Sequence, residues 1–353
     1  MQIVQIATGL PPKIDGVGDY AANLALALRD LGIETCFLIP RRGGAEPAVP
    51  FATRPLASAT PGALAAALAA CGTDRVLLHF SGYGYAHWGL CWWLAEGLRR
   101  WRHGGRDRRL VTVFHELYAT GPVWRASFWT SPPQRLIARH LATLSDGIVA
   151  TTEWSAEKIR RWKVSRTPVV IPVFSNVGEP DAPLPLGRRH RQAVVFGQRP
   201  QRTRAYQRLA RMKSGLWEQL KCLGVDRIVD IGPPLACSEQ VSSLPVTVLG
   251  QLPPCEISAV LSDARLGFLH YPPLLLTKSG IFASYLSHGL LAVNLSSEGV
   301  SSGGLVDGEQ YVGCGSDAPD SYREAESIAV RGYQWYSGHT LRRTAHAIAE
   351  QLS

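Results

Sequence analysis

Residues 2–31 read QIVQIATGLPPKIDGVGDYAANLALALRDL, and this stretch decides the architecture. Gln2 to Ala7 alternates and is rich in β-formers, which predicts a strand. Pro11 to Gly18 is a glycine-containing loop. Asp19 to Leu31 places Ala22, Leu24, Ala25, Leu28 and Leu31 at helical spacing and stops at Gly32. A strand, a glycine loop and a helix open a doubly wound sheet, and the chain continues in kind. Strands are expected at 34–39, 75–80, 110–114 and 147–151, with helices at 62–71, 134–144 and 155–162. Pro180, Pro183 and Pro185 then break the pattern, and Arg188-Arg189-His190-Arg191 closes the break. After it the alternation restarts, with strands at 193–196, 227–231, 246–249, 266–270 and 291–295. The accompanying helices are expected at 204–223, 256–262, 279–287 and 339–352. The fold class is therefore α/β, with two Rossmann-like, doubly wound parallel-sheet domains facing a cleft. Ligands of such sheets gather at the carboxyl ends of the strands. The expected division is an N-terminal domain over 1–175, a linker over 176–191 and a second domain over 192–335. The helical end, 336–353, is a candidate to return onto the first domain.

A chain of 353 residues fits about two domains. With 46% hydrophobic and 18% charged residues it has a globular composition, which excludes disorder and collagen-like repeats. No apolar run reaches the roughly 18 residues of a spanning helix. The best stretch, His79 to Leu98, is broken by glycines, His87 and Glu96. Met1 to Leu10 lacks a basic start and a small-residue cleavage site, so it reads as a strand and not as a signal peptide. Seven cysteines include no C-x-x-C pair and suggest reduced thiols in a cytoplasmic protein.

The net charge of +9 is uneven. Residues 1–170 hold 20 basic and 12 acidic side chains; residues 171–353 hold 17 and 16. The densest cluster is Arg99, Arg100, Trp101 and Arg102, followed by His103, Arg106, Arg108 and Arg109. Arginine interleaved with tryptophan suits an anionic bilayer surface, which would make the protein peripheral at the inner face of the membrane. A solvated helix end fits the same residues equally well. No finger spacing, RNP-like strand or basic helix repeat is present, so no nucleic acid is expected as a partner.

Five constellations fall at carboxyl ends of expected strands. Gly16 and Gly18 precede a helix, where backbone N–H groups can meet a phosphate. However, Asp15 and Asp19 flank them, and Ala21 stands where G-x-G-x-x-G has its last glycine. His115 and Glu116 follow the strand 110–114 and could bond sugar hydroxyls or move a proton; a capping or surface pair is the plainer reading. From Arg188 to Lys213 there are nine cations and no carboxylate, and Arg199, Arg202 and Arg204 follow a strand. Such arginines could grip a diphosphate. Lys278, Ser279 and Gly280 precede a helix and form an anion-site candidate, with ordinary capping as the alternative. Ser296 to Gly308 is a glycine-rich loop after a strand. There is no D-x-D, Walker loop or H-E-x-x-H, so neither a metal nor a cofactor is expected.

The order of these pieces resembles the GT-B glycosyltransferases of the GT4 group. The first half carries the glycine loop with "ALALRDLGIET", then "VFHELY" and "LSDGIVATTEWSAEKI". The second carries "VVFGQ", "VLGQLPPCEISAVLSDARLGFLHY", "KSGIFASYLSHGLLAVNL", "GGLVDGEQYV" and "QWYSG". The resemblance implies a retaining, metal-independent transfer of a sugar from a nucleotide diphosphate sugar. The acceptor would be a polysaccharide, a lipid-linked carbohydrate or a small molecule. It further implies that His115 contacts the reacting sugar and that the donor lies mainly on the second domain, near Lys278, Ser279 and Ser284. One departure stands out. The family places two glutamates eight residues apart ahead of the glycine matching Gly289, and here those positions are Leu276 and Ser284. The alternative expectation is therefore a catalytically inactive GT-B-fold binding or partner subunit.

Overall fold

The computed structural model describes residues 1–13, 15–40, 46–211, 223–235, 240–241, 244–296, 299–313, 319 and 321–353. Two compact units emerge. Unit 1 is Met1–Pro172 with Leu341–Ser353, and unit 2 is Val173–Thr340.

In unit 1 the order is β1 (Gln2–Ile6), α1 (Gly16–Asp30), β2 (Glu34–Pro40), β3 (Ala52–Leu56) and α2 (Pro61–Ala69). Next come β4 (Arg75–Phe80), α3 (Gly82–Tyr85), a 3-10 turn (His87–Gly89), α4 (Trp92–His103) and β5 (Arg109–Phe114). The last are α5 (Ala126–Leu144), β6 (Gly147–Ala150), α6 (Glu153–Arg161) and β7 (Val169–Val170). The sheet runs β3-β2-β1-β4-β5-β6-β7, all parallel. Helices cover its faces, so the central strands are apolar almost throughout: five of the six residues in both β4 and β5 are buried. The order reverses between β1 and β4, which is the switch point of this sheet.

Unit 2 repeats the plan. It contains β8 (Gln192–Phe196), α7 (Arg199–Leu209), β9 (Arg227–Ile231), β10 (Gln240–Val241), β11 (Leu244–Gly250) and α8 (Pro254–Ser262). Then follow β12 (Leu266–Leu269), a 3-10 turn (Pro273–Lys278), α9 (Gly280–Ser287), β13 (Leu291–Asn294), β14 (Val312–Gly313) and α10 (Tyr322–Ser337). Six strands are parallel, in the order β11-β9-β8-β12-β13-β14, and β10 adds an antiparallel pair at one edge. The switch point lies between β8 and β12. The final helix, α11 (Leu341–Leu352), belongs to unit 1. It buries Ala345, Ile348 and Leu352, while Arg75 Nε and Arg109 Nε donate to the carbonyls of Leu352 (2.9 Å) and Gln351 (2.8 Å).

Several elements differ from the sequence expectation. The first helix starts at Gly16 because the Asp15 carboxylate caps it, accepting from Val17 N at 3.1 Å. Helix α5 begins at Ala126 and runs through Pro132 and Pro133, eight residues ahead of the expected 134. Helix α7 begins at Arg199 and ends at Leu209; the remainder of the expected helix, with Lys213, falls on 212–222, outside the described residues. The passage between units occurs at Pro172–Val173, and residues 176–191 fall inside unit 2 instead of standing between domains. Leu186 is buried there, and the buried Arg189 donates to the carbonyls of Leu184 (Nε, 2.8 Å) and Ala264 (3.1 Å). Strand β3 and helices α4 and α10 had no counterpart in the expectation.

Candidate functional site

Unit 1 presents a polar chain at its switch point. Gln5 lies on β1, Thr35 on β2 and His79 on β4, while His115 follows β5, and all four are buried. Gln5 Nε2 donates to Thr35 Oγ1 at 3.1 Å, so its Oε1 faces His79 Nε2 at 2.8 Å. An amide oxygen only accepts, so His79 carries its proton on Nε2 and leaves Nδ1 bare. His79 Nδ1 then accepts from His115 Nε2 at 3.3 Å. In neutral His115 this puts the lone pair on Nδ1. Burial, and secondarily His115, pushes the His79 pKa well below the ordinary imidazole value, so the middle of the chain is neutral. Tyr20 on α1 meets both rings edge-on, with centroids 5.8 Å from His79 and 4.8 Å from His115. Glu116 is exposed and accepts from Ser81 Oγ at 3.1 Å. The sequence pointed to His115 and Glu116 and missed Gln5, Tyr20, Thr35 and His79. The available signal was a glutamine and a histidine in otherwise apolar buried strands.

The glycines of the first loop serve packing. A Cβ on Gly18 would come within 2.3 Å of Gly9 O, so only glycine lets α1 approach the loop after β1. Gly16 is the first residue of α1 and has open space around its Cα. The start of α1 already holds a carboxylate, because Asp15 also accepts from Thr8 Oγ1 at 2.7 Å. Burial, and then Asp15, raises the pKa of Asp19 to about 6.

At the corresponding edge of unit 2, α7 and α9 both follow strands and point their N-termini to the carboxyl side of the sheet. Arg199 opens α7 and is exposed, as is Arg204. Arg202 differs: it is wholly buried, paired through Nη1 with Asp230, and its Nη2 donates to Pro233 O. Tyr206 OH takes the other Asp230 oxygen at 2.8 Å. Arg202 therefore serves the core of unit 2, contrary to the expectation of a diphosphate grip. Ser279 caps α9, accepting from Phe282 N at 3.2 Å, Lys278 closes the turn before it, and Gly280 is the first helical residue. Ser284 is likewise inward: its hydroxyl donates to Gly280 O (2.7 Å) and accepts from Ser175 Oγ (3.2 Å). Tyr285 OH accepts from Phe196 N (3.2 Å) and lies 3.1 Å from Phe268 O, bridging β8 and β12. Gly267 gives that ring its room, since a Cβ there would sit 2.6 Å from it. A small cavity at this switch point is lined by Phe196, Gln201, Arg202, His270, Tyr271 and Ile281. In the Ser296–Gly308 loop, residues 297–298 lie outside the described residues; Gly303 O accepts from Trp335 Nε1 at 3.0 Å.

The arginine–tryptophan cluster takes a different form from the one expected. Trp101 is in the core of unit 1. Arg102 pairs with Asp146, and Glu96 holds both Arg99 (2.7 Å) and Arg100 (2.8 Å). Those two arginines, the larger effect being their hydrogen bonds, hold the Glu96 carboxyl well below the usual range. Among the described residues, no helix is long and apolar enough to cross a membrane, and no three His, Cys, Asp or Glu side chains gather as metal ligands.

Residues 14–174 match the model of Glycosyltransferase Family 4. No curated protein sequence matches the chain. Solved structures align over almost its whole length at low identity. One is an α-glucosyltransferase in complex with UDP and a 13-mer DNA containing an HMU base: TM-score 0.62, 10% identity, 99% of this chain and 98% of that one. Another is the apo lipopolysaccharide outer core galactosyltransferase WaaB: TM-score 0.57, 13% identity, 100% of both chains. A third carries the description trehalose-6-phosphate from E. coli bound with UDP-2-fluoro glucose: TM-score 0.57, 12% identity, 100% and 99%. The two sheets and these alignments define the GT-B fold. Residues 14–174 are similar to Glycosyltransferase Family 4, and the alignments extend the likeness in fold to the rest of the chain. One of these neighbours contains DNA, so the expected exclusion of nucleic acid gains no support from them.

Proposed function

We propose that the protein transfers a sugar from a nucleotide diphosphate sugar to a polysaccharide, lipid-linked or small-molecule acceptor, retaining the anomeric configuration and using no metal. The observation that carries this reading is the buried chain from Thr35 through Gln5 and His79 to His115, at the switch point of the segment that matches the family. It holds one imidazole in one tautomer at the strand end where such sheets take their ligands. In the transfer, the bond from the anomeric carbon to the diphosphate oxygen breaks and the acceptor oxygen bonds that carbon. The acceptor's proton leaves with the diphosphate. His115 contacts the reacting sugar, and Glu116 stands beside it on the same strand end. On unit 2, the leaving charge is met by the N–H groups that open α9, by Lys278 and Ser279, and by Arg199 and Arg204 near the start of α7. Neighbours of this fold hold UDP or a UDP-sugar analogue, which supports a nucleotide-sugar donor.

Calorimetric titration with UDP-, GDP-, ADP- and TDP-sugars tests this. Heat is expected with at least one donor, unchanged by EDTA. Silence with all four classes would remove the donor from the reading, and binding abolished by EDTA would remove the metal-free chemistry.

A second reading has its own observation. The positions where the resemblance implies two glutamates hold Leu276 and Ser284, both buried and the latter bonded inward. A donor-binding subunit without turnover fits this. Release of free nucleotide diphosphate from a donor that binds would exclude it.

A further inference from the structure

Four tryptophans of unit 1 stand in solvent: Trp124 is 81% exposed, Trp129 70%, Trp88 47% and Trp92 46%. They come from two segments at one edge of the sheet. Trp88 and Trp92 follow β4, while Trp124 and Trp129 lie in the loop after β5 and the first turn of α5. A buried glutamine stitches the segments together. Gln134 on α5 donates to Trp88 O at 2.6 Å and accepts from Ala119 N at 2.6 Å. Trp129 Nε1 donates to Val123 O (3.0 Å), and its ring meets Phe128 edge-on at 5.4 Å. Tyr83, Leu90, Val123 and Leu136 are exposed in the same two segments.

The two segments carry no carboxylate of their own. Residues 81–95 contain no Lys, Arg, Asp or Glu, and residues 117–145 contain no carboxylate. Arg125, Arg135 and Arg139 are all exposed in the second segment, and no ion pair with any of them is present among the described residues. Arg125 directly follows Trp124 in the chain, and both are exposed. Contiguous exposed apolar surface marks an interaction site. Indoles favour the membrane interface, and a nearby cation adds about 1 kcal/mol of attraction to an anionic leaflet.

We propose that unit 1 docks on an anionic lipid bilayer through this tryptophan–arginine surface. The docking face is distinct from the Arg99–Arg100 end of α4, whose charge Glu96 already answers. It stands independently of sugar transfer.

Cosedimentation with phosphatidylcholine vesicles, with and without phosphatidylglycerol, reads it without any donor. The protein is expected to sediment with the phosphatidylglycerol vesicles and to release as salt rises. Trp124→Ser/Trp129→Ser and, separately, Arg125→Glu/Arg135→Glu should each lower partitioning by about 10-fold. Arg99→Glu/Arg100→Glu should leave it near the parent value. All these side chains are at least partly exposed, and thermal midpoints equal to the parent's would show intact folding. No sedimentation with either vesicle, or undiminished sedimentation of the tryptophan variant, overturns the proposal. So does a dimer in light scattering that the tryptophan changes dissolve, which would make the face a contact between copies. A failed donor titration would leave the vesicle result standing, and the reverse holds too.

Discussion

His79 has no route to water, and two neighbours decide its chemistry. Gln5 fixes its proton on Nε2, which turns Nδ1 into the acceptor that orients His115. Replacing it by leucine leaves Gln5 Oε1 and His115 Nε2 without their partner. His79→Leu is expected to lower stability by about 2 kcal/mol in denaturant unfolding. It should also reduce turnover while donor affinity, read by calorimetry, stays constant; equal loss of both would make His79 purely structural. His115 was legible in the sequence because a polar residue directly after an apolar strand stands at the sheet edge. The chain behind it was not, since Gln5, Thr35, His79 and His115 meet only when β1, β2, β4 and β5 pair. Arg202 shows the converse. Its place after β8 resembles that of Arg199, and only the arrival of Asp230 from β9 turns it into a buried pair. Charge along a chain does not reveal which cations the core has claimed.

At the scale of elements, α1 depends on a close approach. Gly18→Ala is expected to lower stability by about 1–3 kcal/mol, because the new Cβ meets backbone and not a pliable side chain. The urea midpoint should fall with the slope unchanged. A neutral result would mean that α1 can shift without cost. The strongly apolar strands β4, β5 and β6 were readable, since a strand buried on both faces announces itself by composition. Strand β3, ATRPL, was not: it is a largely exposed edge strand and carries arginine and proline. Helix α4, WWLAEGLRRWRH, was read as a charge cluster, yet Leu94, Leu98 and Trp101 form one buried stripe and the arginines the other face. Helix α5 was expected only from Gln134, yet it begins at Ala126. Pro132 and Pro133 fall in its second turn, where a proline forgoes a backbone hydrogen bond, and so they read as a break.

The molecule as a whole carries buried histidines that resist protonation. Burial lowers His288 and His339 to about 4, and holds His79 well below its ordinary value. The unfolded chain takes these protons near pH 6.5 and the native state does not, so stability must fall as pH drops from about 6.5 toward 4. His288 and His339 can each contribute up to about 3 kcal/mol to that loss. Asp19 works the other way, losing stability as pH rises from about 4 to 6, and partly offsets them. Thermal midpoints measured from pH 7.5 down to 5 should decline, and a flat profile would contradict the buried neutral imidazoles. The helix that ends the chain has a separate consequence. Unit 2 is an insertion within unit 1, entered at residue 173 and left at residue 340. During translation the insert can mature as an uninterrupted segment. Its host, although begun earlier, must wait for Ile348 and Leu352 to emerge from the ribosome before its own sheet is fully covered.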